Sequence, residues 1–140
     1  MIVQKQLRLP AMSRGIHSIT GFVKSDLSHE IAVIESGILH LFLQHTSAAL
    51  TINEDADPDV RLDMLDHLDR IVPMHKELYR HILEGPDDMT SHILASLIGC
   101  SVTIPIHNNK LALGTWQGIH LCEFREHARG RMILATITTQ

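Results

Sequence analysis

Short, closely spaced segments that alternate in polarity, or run apolar with many β-branched residues, constrain this chain most. A period of two puts one strand face toward a core and the other toward water. At the start, Val3, Lys5, Leu7 and Leu9 share one face, and Ile2, Gln4, Gln6 and Arg8 the other. Further strands are predicted over 38–44, 48–52, 101–106, 110–113, 117–124 and 131–138. The stretch from Gly37 to Thr51 is too rich in β-branched and apolar residues, and too broken by Thr46-Ser47, to be one helix. Short connections favour antiparallel pairing. The expected fold class is α+β, with a mainly antiparallel, sandwich-like β core and two or three helices.

The helices follow from apolar spacing and end signals. A first is expected from Thr20, which can cap it, with Phe22, Val23, Leu27 and Ile31 as its stripe and Gly37 closing the segment. The strongest opens at Asp57-Pro58-Asp59: a capping acid, a proline at the first helical position and an acid at the positive end of the dipole. Val60, Met64, Leu68 and Val72 recur there at four-residue spacing until Pro73. Residues 73–88 are expected as a loop, and a short helix from about Thr90 to Gly99. Ser13-Arg14-Gly15 and Asn108-Asn109 are expected turns. No repeat or linker divides residues 1–140, so one domain is expected.

Net charge is -4, which disfavours nucleic acid and anionic membranes as partners. No apolar run approaches the roughly 18 residues a membrane span needs, and Met1 to Leu9 do not resemble a signal peptide. A cytoplasmic protein is expected, with Cys100 and Cys122 as buried thiols rather than a disulfide.

Histidine is the compositional outlier: eleven, against three Phe, one Trp and one Tyr. His40 and His45 are separated by an odd number of residues, so a regular strand places them on opposite faces. His45 is the better functional candidate, at a strand end beside Thr46 and Ser47, whereas His40 suits a structural role with one hydrogen bond. His81 falls in the polar loop and His92 in the first turn of the short helix, where the dipole favours the neutral, metal-binding ring. There is no His-x-x-x-His helix and no Cys-x-x-Cys pair. On spacing alone, scattered surface and core histidines are the better account.

Six ordered blocks change the balance. They are Gln44-His45-Thr46-Ser47-Ala48-Ala49-Leu50-Thr51-Ile52-Asn53-Glu54, Asp57-Pro58-Asp59-Val60-Arg61, His81 through Glu84-Gly85, Asp88-Met89-Thr90-Ser91-His92-Ile93, Thr103-Ile104-Pro105-Ile106, and Leu113-Gly114-Thr115-Trp116-Gln117-Gly118-Ile119 with Glu123 after it. Together they resemble the YjbQ-type family across nearly the whole chain. The resemblance implies a YjbQ-like α+β subunit, a homotrimer, and a pocket where His45, His81 and His92 bind a divalent metal, most plausibly zinc. It implies Thr46, Ser47, Asn53 and Gln117 as substrate-binding residues, and Glu54 and Glu123 as acid/base candidates. The chain departs from the family's Asp-Gly-Pro turn after Glu123, with Phe124 through Arg131 in its place. If residues 123–127 stay extended, Glu123, Arg125 and His127 share a face, and Arg125 would suit a phosphate or carboxylate.

The family resemblance also implies thiamine-phosphate synthase activity, joining a pyrimidine pyrophosphate to a thiazole phosphate. A pyrophosphate leaving group usually favours oxygen-coordinated magnesium over three imidazoles. A zinc-dependent hydrolase or lyase acting on a small polar molecule fits the ligand set better, with Glu54 or Glu123 moving the proton. The rival from another class is a non-enzymatic trimeric binding or scaffold protein. An enzyme is the favoured expectation.

Overall fold

The computed structural model describes residues 1–140. Two antiparallel sheets enclose the main core. The larger pairs β1 (Ile2–Leu9), β8 (Arg131–Thr139), β3 (Ser36–Leu43), β5 (Ser101–His107) and β6 (Lys110–Leu111), in that order. The smaller pairs β2 (Gly15–Ser18), β7 (Gln117–Glu123) and β4 (Ala48–Glu54). Alternate residues of both sheets, among them Leu7, Leu39, Leu41, Leu50, Ile104, Leu121 and Ile133, meet in one buried cluster. The α+β, mainly antiparallel, sandwich-like expectation therefore holds.

Four α-helices are present instead of two or three. The stretch expected as one helix from Thr20 divides into α1 (Thr20–Asp26) and α2 (Ser28–Ala32), because Leu27, at φ -106° and ψ 12°, lies outside helical geometry. Thr20 does not cap. Its hydroxyl accepts the Ile119 N–H at 2.9 Å, tying α1 to β7. The third helix, α3 (Pro58–Ile71), is capped by Asp57 accepting the Asp59 N–H at 3.0 Å. The last, α4 (Asp88–Ile98), starts two residues before the expected Thr90 and stops at Gly99, whose φ of 109° suits glycine. A single 3-10 turn, Lys76–Leu78, interrupts the polar loop.

The outer face of the small sheet carries α3 and α4. Ile16, Ala49, Cys122 and Phe124 pack there against Val72 and Leu94, forming a second apolar cluster. Strand β2 is not foreseen by pattern, since four residues give too short an alternation to separate from a turn. Asn108 and Asn109, at φ 50° and 62°, make the tight β5–β6 hairpin. Both cysteines are free: Cys122 is buried and its thiol is pushed up to about 12 by desolvation, whereas Cys100 is exposed, not buried as expected.

Candidate metal centre

Helix α4 creates the centre of the site. Asp88 and His92, four residues apart, lie on one helix face. The chain entering the helix brings His81 over the same spot. Its Nε2 lies 2.7 Å from Asp88 Oδ2, and His92 Nε2 lies 3.1 Å from that same oxygen. The two ring centroids are 5.6 Å apart with their planes at 50°. All three donor atoms fall within 4.8 Å of one another. Asp88 is the buried member and His81 the exposed one, so the cluster opens outward.

Hydrogen bonding gives this cluster its chemistry. His92 Nδ1 faces the Thr46 carbonyl at 2.8 Å and must carry a proton to bond it. Whenever the ring is neutral, Nε2 is therefore a lone pair facing a carboxylate oxygen. The contact is attractive only with a proton or a cation between the two atoms. Two imidazole nitrogens and one carboxylate oxygen form a donor set that zinc accepts, with one position left open. The same set also suits iron(II). Donors around tetrahedral zinc stand about 3.3 Å apart, so the two separations from Asp88 Oδ2 to the imidazoles need to open only slightly.

Asp88 is further held by Arg125, whose Nη1 donates to Oδ1. Burial works to raise the Asp88 pKa, but the hydrogen bond from His81 and the charges of His92 and Arg125 outweigh it and hold the carboxylate below its usual range. Asp87 is kept low in the same way: burial opposes ionisation, and the Glu126 N–H and Arg125 overcome it.

The expected set of three histidines is brought together only in part. His81 and His92 meet, and the third converging donor is Asp88. His45 borders the pocket that contains His92 and Cys100, but its Nε2 accepts the Met132 N–H at 2.8 Å. Burial and the Arg131 charge push the His45 pKa down, with Glu123 opposing them, so the ring is kept neutral. His45 also borders a second groove of about 410 Å³ with Ser47, Arg125, His127, Arg129 and Arg131.

Other expected site residues divide between the two ends of the β4–β7 pair. Glu123 is fully buried beneath the second groove. Arg131 donates to its Oε1 at 2.7 Å and its Oε2 at 2.5 Å, and reaches Ser47 Oγ at 3.0 Å. Residues 123–127 do not stay extended, because β7 ends at Glu123 and a turn follows. Arg125 swings onto Asp87 and Asp88, and His127 is exposed in the groove. Thr46 contributes its carbonyl rather than its hydroxyl. Asn53, Glu54 and Gln117 lie at the other end, about 20 Å along six strand residues. There Glu54 accepts the Ala56 and Asp57 N–H groups, Asn53 accepts the Glu54 N–H, and Gln117 accepts the Gly114 N–H at 2.7 Å. These three shape turns away from the His81–Asp88–His92 cluster. His40 bonds Thr103 at 3.0 Å, as its structural reading requires.

Family comparison then places this architecture. The family model for UPF0047 protein YjbQ-like matches residues 5–140. The chain belongs to the YjbQ-like family. UPF0047 protein YjbQ of Escherichia coli O157:H7 is 47% identical over 137 residues, covering 98% of each chain. A YjbQ/UPF0047-family crystal structure from Clostridium acetobutylicum superposes with a TM-score of 0.83 at 37% identity, covering 96% of this chain and 99% of that one. A conserved hypothetical protein from Thermus thermophilus gives 0.80 at 33% identity over 94% and 97% of the two chains. No helix is long and apolar enough to cross a membrane.

Asp88 is the residue that sequence reading passes over as a ligand. An acid in the first turn of a helix is ordinary, because the dipole favours it there. The signal that could have found it is the Asp-x-x-x-His spacing, which puts both side chains on one helical face.

Proposed function

We propose that this YjbQ-like protein is a metal-dependent enzyme acting on a small anionic substrate, its cation held by His81, Asp88 and His92. The observation that carries this reading is the convergence of two imidazole nitrogens on one buried carboxylate oxygen, with His92 Nδ1 anchored to Thr46. Zinc, when bound there, would polarise an oxygen of the substrate or of water. His45 lies between the pocket beside His92 and the neighbouring cationic groove, and its neutral ring is our candidate for proton transfer. Arg129 and His127 line the exposed wall of that groove and favour an anionic group, such as a phosphate or carboxylate. A metal-dependent hydrolase or lyase fits this arrangement best. Thiamine-phosphate synthase chemistry shares the demand for an anionic substrate but would draw on the same imidazole-rich centre. Exposed Phe42, Leu97 and Trp116 offer apolar surface for the homotrimer that the family resemblance implies.

The test is metal analysis of untagged protein, alongside His81→Ala, Asp88→Ala and His92→Ala, followed by turnover assays with and without a chelator. One tightly held zinc or iron per subunit, lost in all three variants, supports the reading. Absence of metal from the wild type, or its retention in all three variants, rejects it.

A further inference from the structure

We propose that Arg125 decides which metal the His81–Asp88–His92 centre accepts, by withholding carboxylate oxygens from it. This inference rests on the metal-centre reading above and concerns its selectivity. Two adjacent acids, Asp87 and Asp88, stand at the start of α4 and are both buried. Left free, their oxygens together with two imidazoles would suit a cation of high coordination number, such as manganese or calcium.

Arg125 engages two of these four oxygens, one on each acid. Its Nη1 donates to Asp88 Oδ1, its Nε to Asp87 Oδ2 at 3.0 Å, and its Nη2 to the Glu84 carbonyl at 2.9 Å. The Glu126 N–H also donates to Asp87 Oδ2, at 2.9 Å. Asp87 is thereby turned to the guanidinium, and Asp88 presents Oδ2 alone to the imidazoles. The donors that converge are two nitrogens and one oxygen, a set for four-coordinate zinc.

Charge balance makes the device workable. Arg125 and Asp87 form a neutral pair, so the clamp restrains Asp88 without adding net positive charge beside a cation. The side chains involved are 28%, 9% and 6% exposed for Arg125, Asp87 and Asp88, so solvent screens them less than it would a surface pair. A planar fork is required, because one group must bond both acids and a carbonyl. A lysine ammonium offers one point charge on a flexible stem.

The deciding experiment measures zinc and manganese dissociation constants by chelator competition for wild type, Arg125→Gln and Arg125→Lys. The visible spectrum of each cobalt(II)-substituted protein is recorded alongside. The zinc-over-manganese preference is expected to shrink by about 10–100-fold in both variants, the range found when outer-sphere partners are removed. Cobalt bands should weaken from the intense four-coordinate pattern to that of five or six ligands. Arg125→Lys keeps a charge and most of the stem, and carries the test if Arg125→Gln fails to fold. An unchanged preference and an unchanged cobalt spectrum in folded variants would overturn the role of Arg125 while leaving the metal centre standing. A wild type that binds neither metal would remove the centre and this inference together.

Discussion

Opposite ends of the β4–β7 pair each hold an aspartate, histidine and arginine, and the two clusters behave as different objects. At one end, Asp55 receives Ser18 Oγ at 2.7 Å, Thr20 Oγ1 at 3.4 Å, Arg61 Nη1 at 2.8 Å and His120 Nε2 at 3.2 Å. Donors take both of its oxygens, leaving no lone pair for a cation. The pairing is tight enough to exclude a Cβ at Gly118, which would stand 2.1 Å from Asp55 Oδ2. His120 is fully buried, and its Nδ1 has no hydrogen-bond partner. At the other end, Asp88 Oδ2 meets two imidazoles that open toward solvent. Residue types are shared, and the distinction lies in whether lone pairs are saturated or made to converge.

Breaking the ion pair beneath the metal end should have the largest effect on stability. Glu123→Gln leaves Arg131 buried without its carboxylate and should cost about 3–5 kcal/mol, read by urea unfolding. A loss below about 1 kcal/mol would mean that Ser47 and water satisfy Arg131 unaided.

The sharpest contrast between the ends comes from Asp88→Asn beside Asp55→Asn. Removing a direct ligand should weaken zinc by more than about 100-fold, beyond the outer-sphere range, whereas Asp55→Asn should leave zinc affinity within about twofold. Equal losses in calorimetric titrations would show that the two ends are coupled.

Asp55→Asn instead should appear as instability. An amide cannot accept from all four donors, so a loss of about 2–3 kcal/mol is expected in thermal melts. A melt equal to wild type would show that the network contributes little.

The smallest effect is in pH dependence. The folded pKa values of Asp55, Asp87 and Asp88 are depressed, so their stabilisation is complete above about pH 5 and is lost as pH falls through those lowered values. At Asp55 burial pushes the other way, and the bonds from Ser18 and His120 with the charge of Arg61 prevail. His45 is also depressed, so its contribution is present above about pH 6.5 and fades first on acidification. His45→Gln can still accept from Met132 and should flatten metal-free stability between about pH 5 and 7. An undiminished slope there would assign that titration to another histidine.

Strand alternation made the β core legible, and Asp57-Pro58 and Gly99 marked helix ends because capping chemistry is local. The candidate metal centre was legible only in part. His81 and His92 emerged from the family blocks, whereas Asp88 resembled an ordinary first-turn acid and Arg125 a groove cation. The glutamates at 54 and 123 carried the right chemistry for acid/base work. Tertiary structure committed one to the turn before α3 and the other to Arg131.

By itself, then, the sequence determined the strands that alternate over five or more residues, the capped start of α3, the glycine end of α4 and the family the chain resembles, because periodicity and capping act between near neighbours. Only the tertiary structure decided which nitrogen faces which oxygen. Loop 73–88 carries no periodicity to place His81, and a hydrogen bond across 46 positions of chain fixes the ring of His92.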